Sequence, residues 1–415
     1  MRAHAEEIGQ LLEHLVLDDC RLEVGDEQAF LASGRRLNHD VDWPVADDRS
    51  RRRLNLRRAA LRHDVAGRRR QPIDLAAERG GAAAQRGLGA QSGDQGEDEG
   101  QVSRSHKPAV VIIAGPTASG KSALALDLAE HYGGTIINAD SQQLYRDLKV
   151  LSARPDAAAK ARAPHRLYGF LDAAERGSVA RWRALAAIEI DAATGAGRLP
   201  IVVGGTGLYL RALMQALAPV PDIPPGIRAE AAELYQRLGG AAFREELGRL
   251  DRDAASRFPP GDRTRLTRAY EVVRATGVPI AEWQRRASSP APYRFATILF
   301  SPPRAALYAA CDRRLAAMIE AGGLDEAKAL MARGLDPGLP AMKAVGVPEL
   351  ISHLRDETSL PETIAMAQVS TRRYAKRQTT WFRHQLDPGL VCFEQYSESF
   401  LHCSRHFIDR FLLTR

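Results

Sequence analysis

No run of apolar residues in this 415-residue chain approaches the roughly 20 that a membrane-spanning helix needs. The N-terminus also lacks the short basic region and apolar core of a secretory signal, so a cytoplasmic protein is expected. Cysteine is scarce: Cys20, Cys311, Cys392 and Cys403 are scattered, with neither C-x-x-C spacing nor a clustered histidine. That pattern suggests neither a zinc site nor a disulfide framework. Lysine is missing altogether from residues 1–106, which carry 17 arginines against 19 acidic residues. This stretch ends in a Gly/Gln/Asp/Glu-rich tract over residues 80–100 without apolar periodicity, a composition that cannot bury a core. Its clusters Arg51-Arg52-Arg53 and Arg68-Arg69-Arg70 suggest a nucleic-acid arm, but the surrounding acids offset them. Residues 1–106 are therefore expected to be a disordered extension, or the product of a start assigned too far upstream.

The remaining residues, 107–415, hold 41 basic against 32 acidic side chains, so the net charge of +7 originates there. A solvated basic face accounts for such a surplus, and so does an anionic macromolecule such as RNA. Within this part, Gly115-Pro116-Thr117-Ala118-Ser119-Gly120-Lys121-Ser122 spells G-x-x-x-x-G-K-[ST]. It directly follows the apolar run Val110-Val111-Ile112-Ile113-Ala114 and precedes Ala123-Leu124-Ala125-Leu126. A buried strand, a glycine turn and a helix opening bring backbone N–H groups and a helix N-terminus onto one anion. A ligand with two or more phosphates is expected, with Lys121 as the point charge on its outer oxygens and the Ser122 hydroxyl as a Mg²⁺ ligand. Kinases, motor NTPases and some transferases share such a loop, so it does not name the reaction.

The periodicity predicts an α/β chain, with a parallel sheet flanked by helices. A helix is predicted over residues 121–132, a strand over 135–140, a helix over 178–193, a strand over 201–205 and a helix over 208–217. Four prolines within residues 219–225 then break the pattern. Helical segments follow at 228–238, 241–250 and 262–276, before a strand at 295–300, helices at 305–321, 324–333 and 361–384, and a last strand at 391–393. The expected organisation is an α/β core over 107–218, an all-helical insertion over 219–293 and a second part of the core over 294–415.

In a parallel sheet, ligands gather at the carboxyl ends of the strands. Asp140 stands there after the second strand, as a helix cap, a Mg²⁺ ligand or a general base. Gly204-Gly205-Thr206-Gly207 lies on the same edge, either a plain turn or a place where a substrate nears the backbone and Thr206 offers its hydroxyl. In the insertion, Arg265 and Arg268 share a helix face suited to nucleic-acid phosphates, or simply to solvent. A second basic helix, residues 371–383, places Tyr374, Gln378 and Trp381 along one stripe. Such a stripe serves as core or as a base-stacking platform, with the cations facing elsewhere.

Six ordered motifs carry a resemblance over residues 107 to about 385: the phosphate loop, Asp140-Ser141 with Gln143 and Tyr145, Pro164-His165, Gly204-Gly205-Thr206-Gly207-Leu208-Tyr209, Arg265-Leu266-Thr267-Arg268, and Lys376-Arg377-Gln378-Thr379-Thr380-Trp381. Together they resemble the tRNA dimethylallyltransferases. The resemblance implies that the loop holds the diphosphate of dimethylallyl diphosphate rather than ATP, with Mg²⁺ as cofactor. It implies alkylation of N6 of an adenosine just 3′ of the anticodon. Catalytic roles fall to Asp140, Thr206 and Arg314. The tRNA anticodon stem-loop would meet Asp140, Ser141, Gln142, Gln143, Thr206, Arg228, Thr264, Arg265, Leu266, Thr267 and Arg268. Several positions depart from the family pattern: Ser152 and Arg154 replace a usual Thr and Lys, Thr264 a frequent Gln and Val347 a frequent Tyr, and Ala310 lacks an arginine that many members have. A small-molecule or nucleotide kinase, an adenine-nucleotide isopentenyltransferase and a non-catalytic RNA-binding module are the competing readings. Nothing warrants an oligomer, and a monomer is expected.

Overall fold

The computed structural model describes residues 107–215, 218–286 and 291–414; the expected extension, residues 1–106, lies outside the described residues. Six strands form the central sheet: β1 (Ala109–Ala114), β2 (Thr135–Asn138), β3 (His165–Arg166), β4 (Pro200–Gly204), β5 (Arg294–Phe300) and β6 (Leu390–Cys392). Their order is β3-β2-β4-β1-β5-β6, and every neighbouring pair is parallel. All six therefore end on the same edge. Helices α1 (Lys121–His131), α2 (Ala157–Arg162) and α3 (Val179–Gly195) connect the first four strands in turn, and α4 (Gly207–Gln215) follows β4.

Helices cover both faces of the sheet, which is why β1 reads as an unbroken apolar run rather than an alternating one. Its side chains still alternate in direction. Val110 and Ile112 enter one apolar cluster with Trp182 of α3, and Val111 and Ile113 enter the opposite cluster with Leu124 and Leu128 of α1. Trp182 also donates from Nε1 to the Asn138 carbonyl at 2.8 Å and stacks on Tyr209 of α4, at 4.6 Å between ring centroids. Ser178 caps α3, accepting from the Arg181 N–H at 3.1 Å.

Between β4 and β5 the chain is helical: α5 (Pro225–Leu250), α6 (Arg252–Arg257), α7 (Arg263–Thr276) and α8 (Ile280–Arg285). Within α5, Gly239 takes φ 70° and ψ 169°, a break that only glycine adopts readily and that splits the helix where two segments were predicted. These helices pack around a cluster of their own, in which the fully buried Phe243 ring lies between Tyr235 and Tyr270, at centroid distances of 5.2 and 5.4 Å. After β5 come α9 (Arg304–Met318), α10 (Leu324–Ala332), α11 (Val347–Leu354) and α12 (Leu360–Gln385), and α13 (Glu398–Leu413) follows β6. A capping box starts α12, with Ser359 and Glu362 each bonding the other's backbone N–H.

Truncating Phe243 to alanine empties the centre of the helical cluster without touching the sheet. Phe243→Ala is expected to cost about 3–5 kcal/mol. Hydrogen exchange then loses protection across α5–α7 while β1 and β4 keep theirs.

Candidate active site at the carboxyl edge of the sheet

The phosphate loop leaves β1 and enters α1 through Gly120, whose φ of 93° lies in the left-handed region and whose missing Cβ would sit 2.6 Å from Tyr396 Cβ. Lys121 follows at once and folds its side chain back over the loop, donating from Nζ to the Pro116 carbonyl at 3.0 Å. Burial pulls its pKa down to about 8; the Asp140 carboxylate opposes this, and the Arg314 guanidinium adds to it.

The chain turns sharply after β2 because Asn138 takes over the next backbone groups: its Oδ1 accepts from Asp140 N at 2.9 Å, and its Nδ2 donates to the carbonyls of Asp140 and Leu167, both at 3.0 Å. The strand accordingly stops at Asn138, two residues short of the predicted end. Asp140 Oδ1 then accepts from Gln142 N at 3.0 Å, closing a side-chain turn. No helix begins here, since α2 starts only at Ala157, so the helix-cap reading of Asp140 falls away. Its Oδ2 accepts no hydrogen bond among the described residues.

A pocket of about 370 Å³ brings the phosphate loop together with Asp140, Gln143, Ser152, Arg314 and Gln395. A narrower slot opens beside it, sharing Thr117, Asp140, Ser152 and Arg314 but walled by the apolar Leu151, Leu315, Met318 and Val345. Arg314 projects from α9 into both. Burial pushes its guanidinium down, and the Asp140 carboxylate is the main opposing influence.

Gln378 of α12 joins two loops that are far apart in sequence. It is 6% exposed; its Oε1 accepts from Thr117 N at 2.8 Å and its Nε2 donates to the Gly205 carbonyl at 2.9 Å. A Cβ on Gly205 would collide with this carboxamide, and one on Gly207 would collide with the Trp381 ring. Gly205 and Gly207 thus admit α12 rather than a substrate, and Gln378 and Trp381 of the stripe are packing, whereas Tyr374 lines the narrow slot. Thr206 is a brace too: its Oγ1 accepts from Ser141 N at 2.9 Å, and its own N–H donates to the Ala139 carbonyl at 3.1 Å.

The IPP transferase family model matches residues 143–385. The chain belongs to that family. It is 57% identical over 288 residues to the tRNA dimethylallyltransferase of Rhodospirillum centenum, covering 68% of this chain and 92% of that protein. Among solved structures, the full-length tRNA isopentenylpyrophosphate transferase of Bacillus halodurans is 31% identical, with a TM-score of 0.55 over 74% of this chain and 97% of that one. A eukaryotic dimethylallyltransferase captured acting on tRNA is 24% identical with a TM-score of 0.63, covering 73% of this chain and 80% of that one, a likeness of fold.

The family-implied residues divide into two groups. The phosphate loop, Asp140, Ser141, Gln142, Gln143, Thr206 and Arg314 converge on the carboxyl edge, whereas Arg228, Thr264, Arg265, Leu266, Thr267 and Arg268 lie on the helices between β4 and β5. Leu266 is fully buried in the apolar cluster of those helices, so its side chain is closed to an RNA, and its part is to hold the face that displays Arg265 and Arg268. Those two arginines pair locally, with Asp262 at 3.4 Å and Glu271 at 3.3 Å. Gln143 spends its Nε2 on the carbonyls of Ser152 and Ala153, at 2.9 and 3.0 Å. Of the departures from the family pattern, Ser152 and Ala310 line the phosphate pocket, Val347 is buried in the core, and Arg154 turns away to donate to the Arg146 carbonyl at 3.2 Å. Glu326, which no motif marked, accepts from the N–H groups of Lys149, Val150 and Leu151 at 2.6, 2.8 and 2.9 Å and so fixes the loop bearing Ser152.

Gln378→Ala strands the Thr117 N–H and the Gly205 carbonyl, and each buried group left unpaired costs about 1–3 kcal/mol. Chemical denaturation is expected to show a loss in that range or above. A second expectation follows from Lys121. In the free protein it loses its proton near pH 8, whereas an unfolded chain keeps it to about 10.5, so its contribution to stability rises across that window. A bound anion favours the protonated form. Affinity for inorganic pyrophosphate, measured by calorimetry, is therefore expected to fall as pH rises through 8, and Lys121→Arg to flatten that limb.

Proposed function

We propose that this chain transfers the dimethylallyl group of dimethylallyl diphosphate to N6 of the adenosine just 3′ of a tRNA anticodon, releasing diphosphate. The observation that carries the reading is one pocket holding the phosphate loop, Lys121, Arg314 and a carboxylate with an unengaged oxygen, Asp140. An exocyclic amine is a weak nucleophile. As N6 attacks C1 of the dimethylallyl group and the C1–O bond breaks, Asp140 takes the N6 proton. The departing diphosphate is neutralised by Lys121, Arg314 and the loop N–H groups, whose positions are set before the charge develops. The apolar slot walled by Leu315 and Met318 suits the hydrocarbon tail.

The Ser122 hydroxyl and the Asp140 carboxylate line the same pocket, and no cluster of three or more His, Cys, Asp or Glu able to hold a metal occurs among the described residues. So sparse a donor set fits Mg²⁺, which keeps several waters and binds through phosphate oxygens and one or two protein groups. Bound there, the ion would share the charge of the leaving diphosphate. The target adenine must leave the anticodon-loop stack to reach Asp140. Arg228, Arg265 and Arg268 would meet the RNA backbone, the last two exchanging Asp262 and Glu271 for phosphates. No described helix is long and apolar enough to cross a membrane, and we place the reaction in the cytoplasm, on a monomer.

Asp140→Asn keeps the shape of the side chain and removes its basicity. With unmodified tRNA and labelled dimethylallyl diphosphate, single-turnover label in the nucleoside digest is expected to appear about 10²–10⁴-fold more slowly, with both substrates still bound. Transfer at near wild-type rate would remove Asp140 as the base, and no label in tRNA from the unaltered protein would overturn the reading.

A further inference from the structure

Two buried polar atoms in the phosphate pocket have no hydrogen-bond partner: Ser119 Oγ, on the phosphate loop, and Gln395 Nε2, on the segment between β6 and α13. Buried donors in folded proteins are nearly always satisfied, so two orphans in one pocket indicate an acceptor that completes it. Gln395 is not a stray surface residue. The next side chain, Tyr396, donates from its hydroxyl to Asp127 Oδ2 on α1 and rests against Gly120, where a glycine Cβ would lie 2.6 Å from Tyr396 Cβ. One residue further, Ser397 caps α13, its Oγ accepting from Phe400 N at 3.3 Å. The segment carrying Gln395 is thus pinned to the phosphate loop on one side and to a helix on the other. It also lies beyond residues 143–385, the part matched by the family model.

We propose that Gln395 is a diphosphate-binding residue, donating from Nε2 to the anion held by the loop alongside Ser119 Oγ, so that the segment after β6 forms the outer wall of the site. This rests on the diphosphate reading above. A diphosphate offers several charged acceptor oxygens, and hydrogen bonds to a charged acceptor are worth more than neutral ones. The loop supplies backbone N–H groups and the Lys121 ammonium; the C-terminal segment adds a neutral amide donor from outside the loop. Gly120 is then doubly constrained, by its left-handed backbone and by the latch seated on it, and a side chain there would lift Gln395 away.

The test is calorimetric titration of the full chain with inorganic pyrophosphate, with and without Mg²⁺, comparing Gln395→Leu, Gln395→Glu and Ser119→Ala with the unaltered protein. Gln395→Leu preserves volume and is expected to weaken pyrophosphate binding about tenfold or more. Gln395→Glu sets a carboxylate against the anion and is expected to weaken it further. Ser119→Ala removes a single oxygen and stands as the second variant if Leu disturbs the segment, as thermal melting would reveal. In the transfer assay, KM for dimethylallyl diphosphate rises and KM for tRNA does not. Pyrophosphate binding by the unaltered protein, matched by Gln395→Leu and Ser119→Ala, would overturn this inference and leave the diphosphate reading standing. Failure of the unaltered protein to bind pyrophosphate would overturn both.

Discussion

One buried carboxamide sets the geometry of the carboxyl edge. Gln378 accepts from the phosphate loop at Thr117 and donates to the glycine turn at Gly205, joining segments that begin at the ends of β1 and β4. From Gly205 the connection runs on through Thr206 to Ser141 and hence to the Asp140 turn. The phosphate loop and the Asp140 turn are therefore fixed through α12 rather than through each other. Rigid placement of this kind is what an alkyl transfer needs, because misalignment of the reacting atoms by an ångström is costly.

Charge in the pocket is arranged against burial. Lys121 and Arg314 are both buried cations, each with the Asp140 carboxylate as an opposing partner. Two cations against one carboxylate leave positive charge in a desolvated space, which is unfavourable until an anion arrives. The depressed pKa of Lys121 expresses that cost in the free protein. Binding an anion relieves it, so the arrangement favours an anionic ligand over a neutral one.

Much of this was readable from the residues. The phosphate loop, β1, α1, β4 and the helical segment after the proline run were all predicted near their observed bounds, because apolar runs and glycine turns are local signals. The short elements were not: β3 has two residues and α2 none that are buried, so neither leaves a periodic trace. The final helix α13, with Phe400, Ser404 and Ile408 inward, went unread because its buried stripe mixes a serine with apolar residues. At the site, Asp140 and Lys121 stood out by position. Gln378 was noticed as part of a motif, without its partners, and Glu326 and Gln395 lacked any signal, since a single amide or carboxylate outside a motif looks like surface.

The chain's own sequence determined the phosphate-loop turn between β1 and α1, through its glycine spacing, and the α/β architecture, through the alternation of buried runs with amphipathic stretches. Those are short-range properties, encoded in spacings of a few residues. Only the tertiary structure decided that Asp140 makes a side-chain turn instead of capping a helix, that Thr206 braces Ser141 while Gly205 and Gly207 admit α12, and that Leu266 is closed to solvent. It also decided that the segment at Gln395 abuts the phosphate loop. Thr206 meets Ser141 and Gln378 meets Thr117 across more than 60 residues of chain, and hydrogen-bond partnership over such separations is set by the packing of helices on the sheet rather than by local pattern.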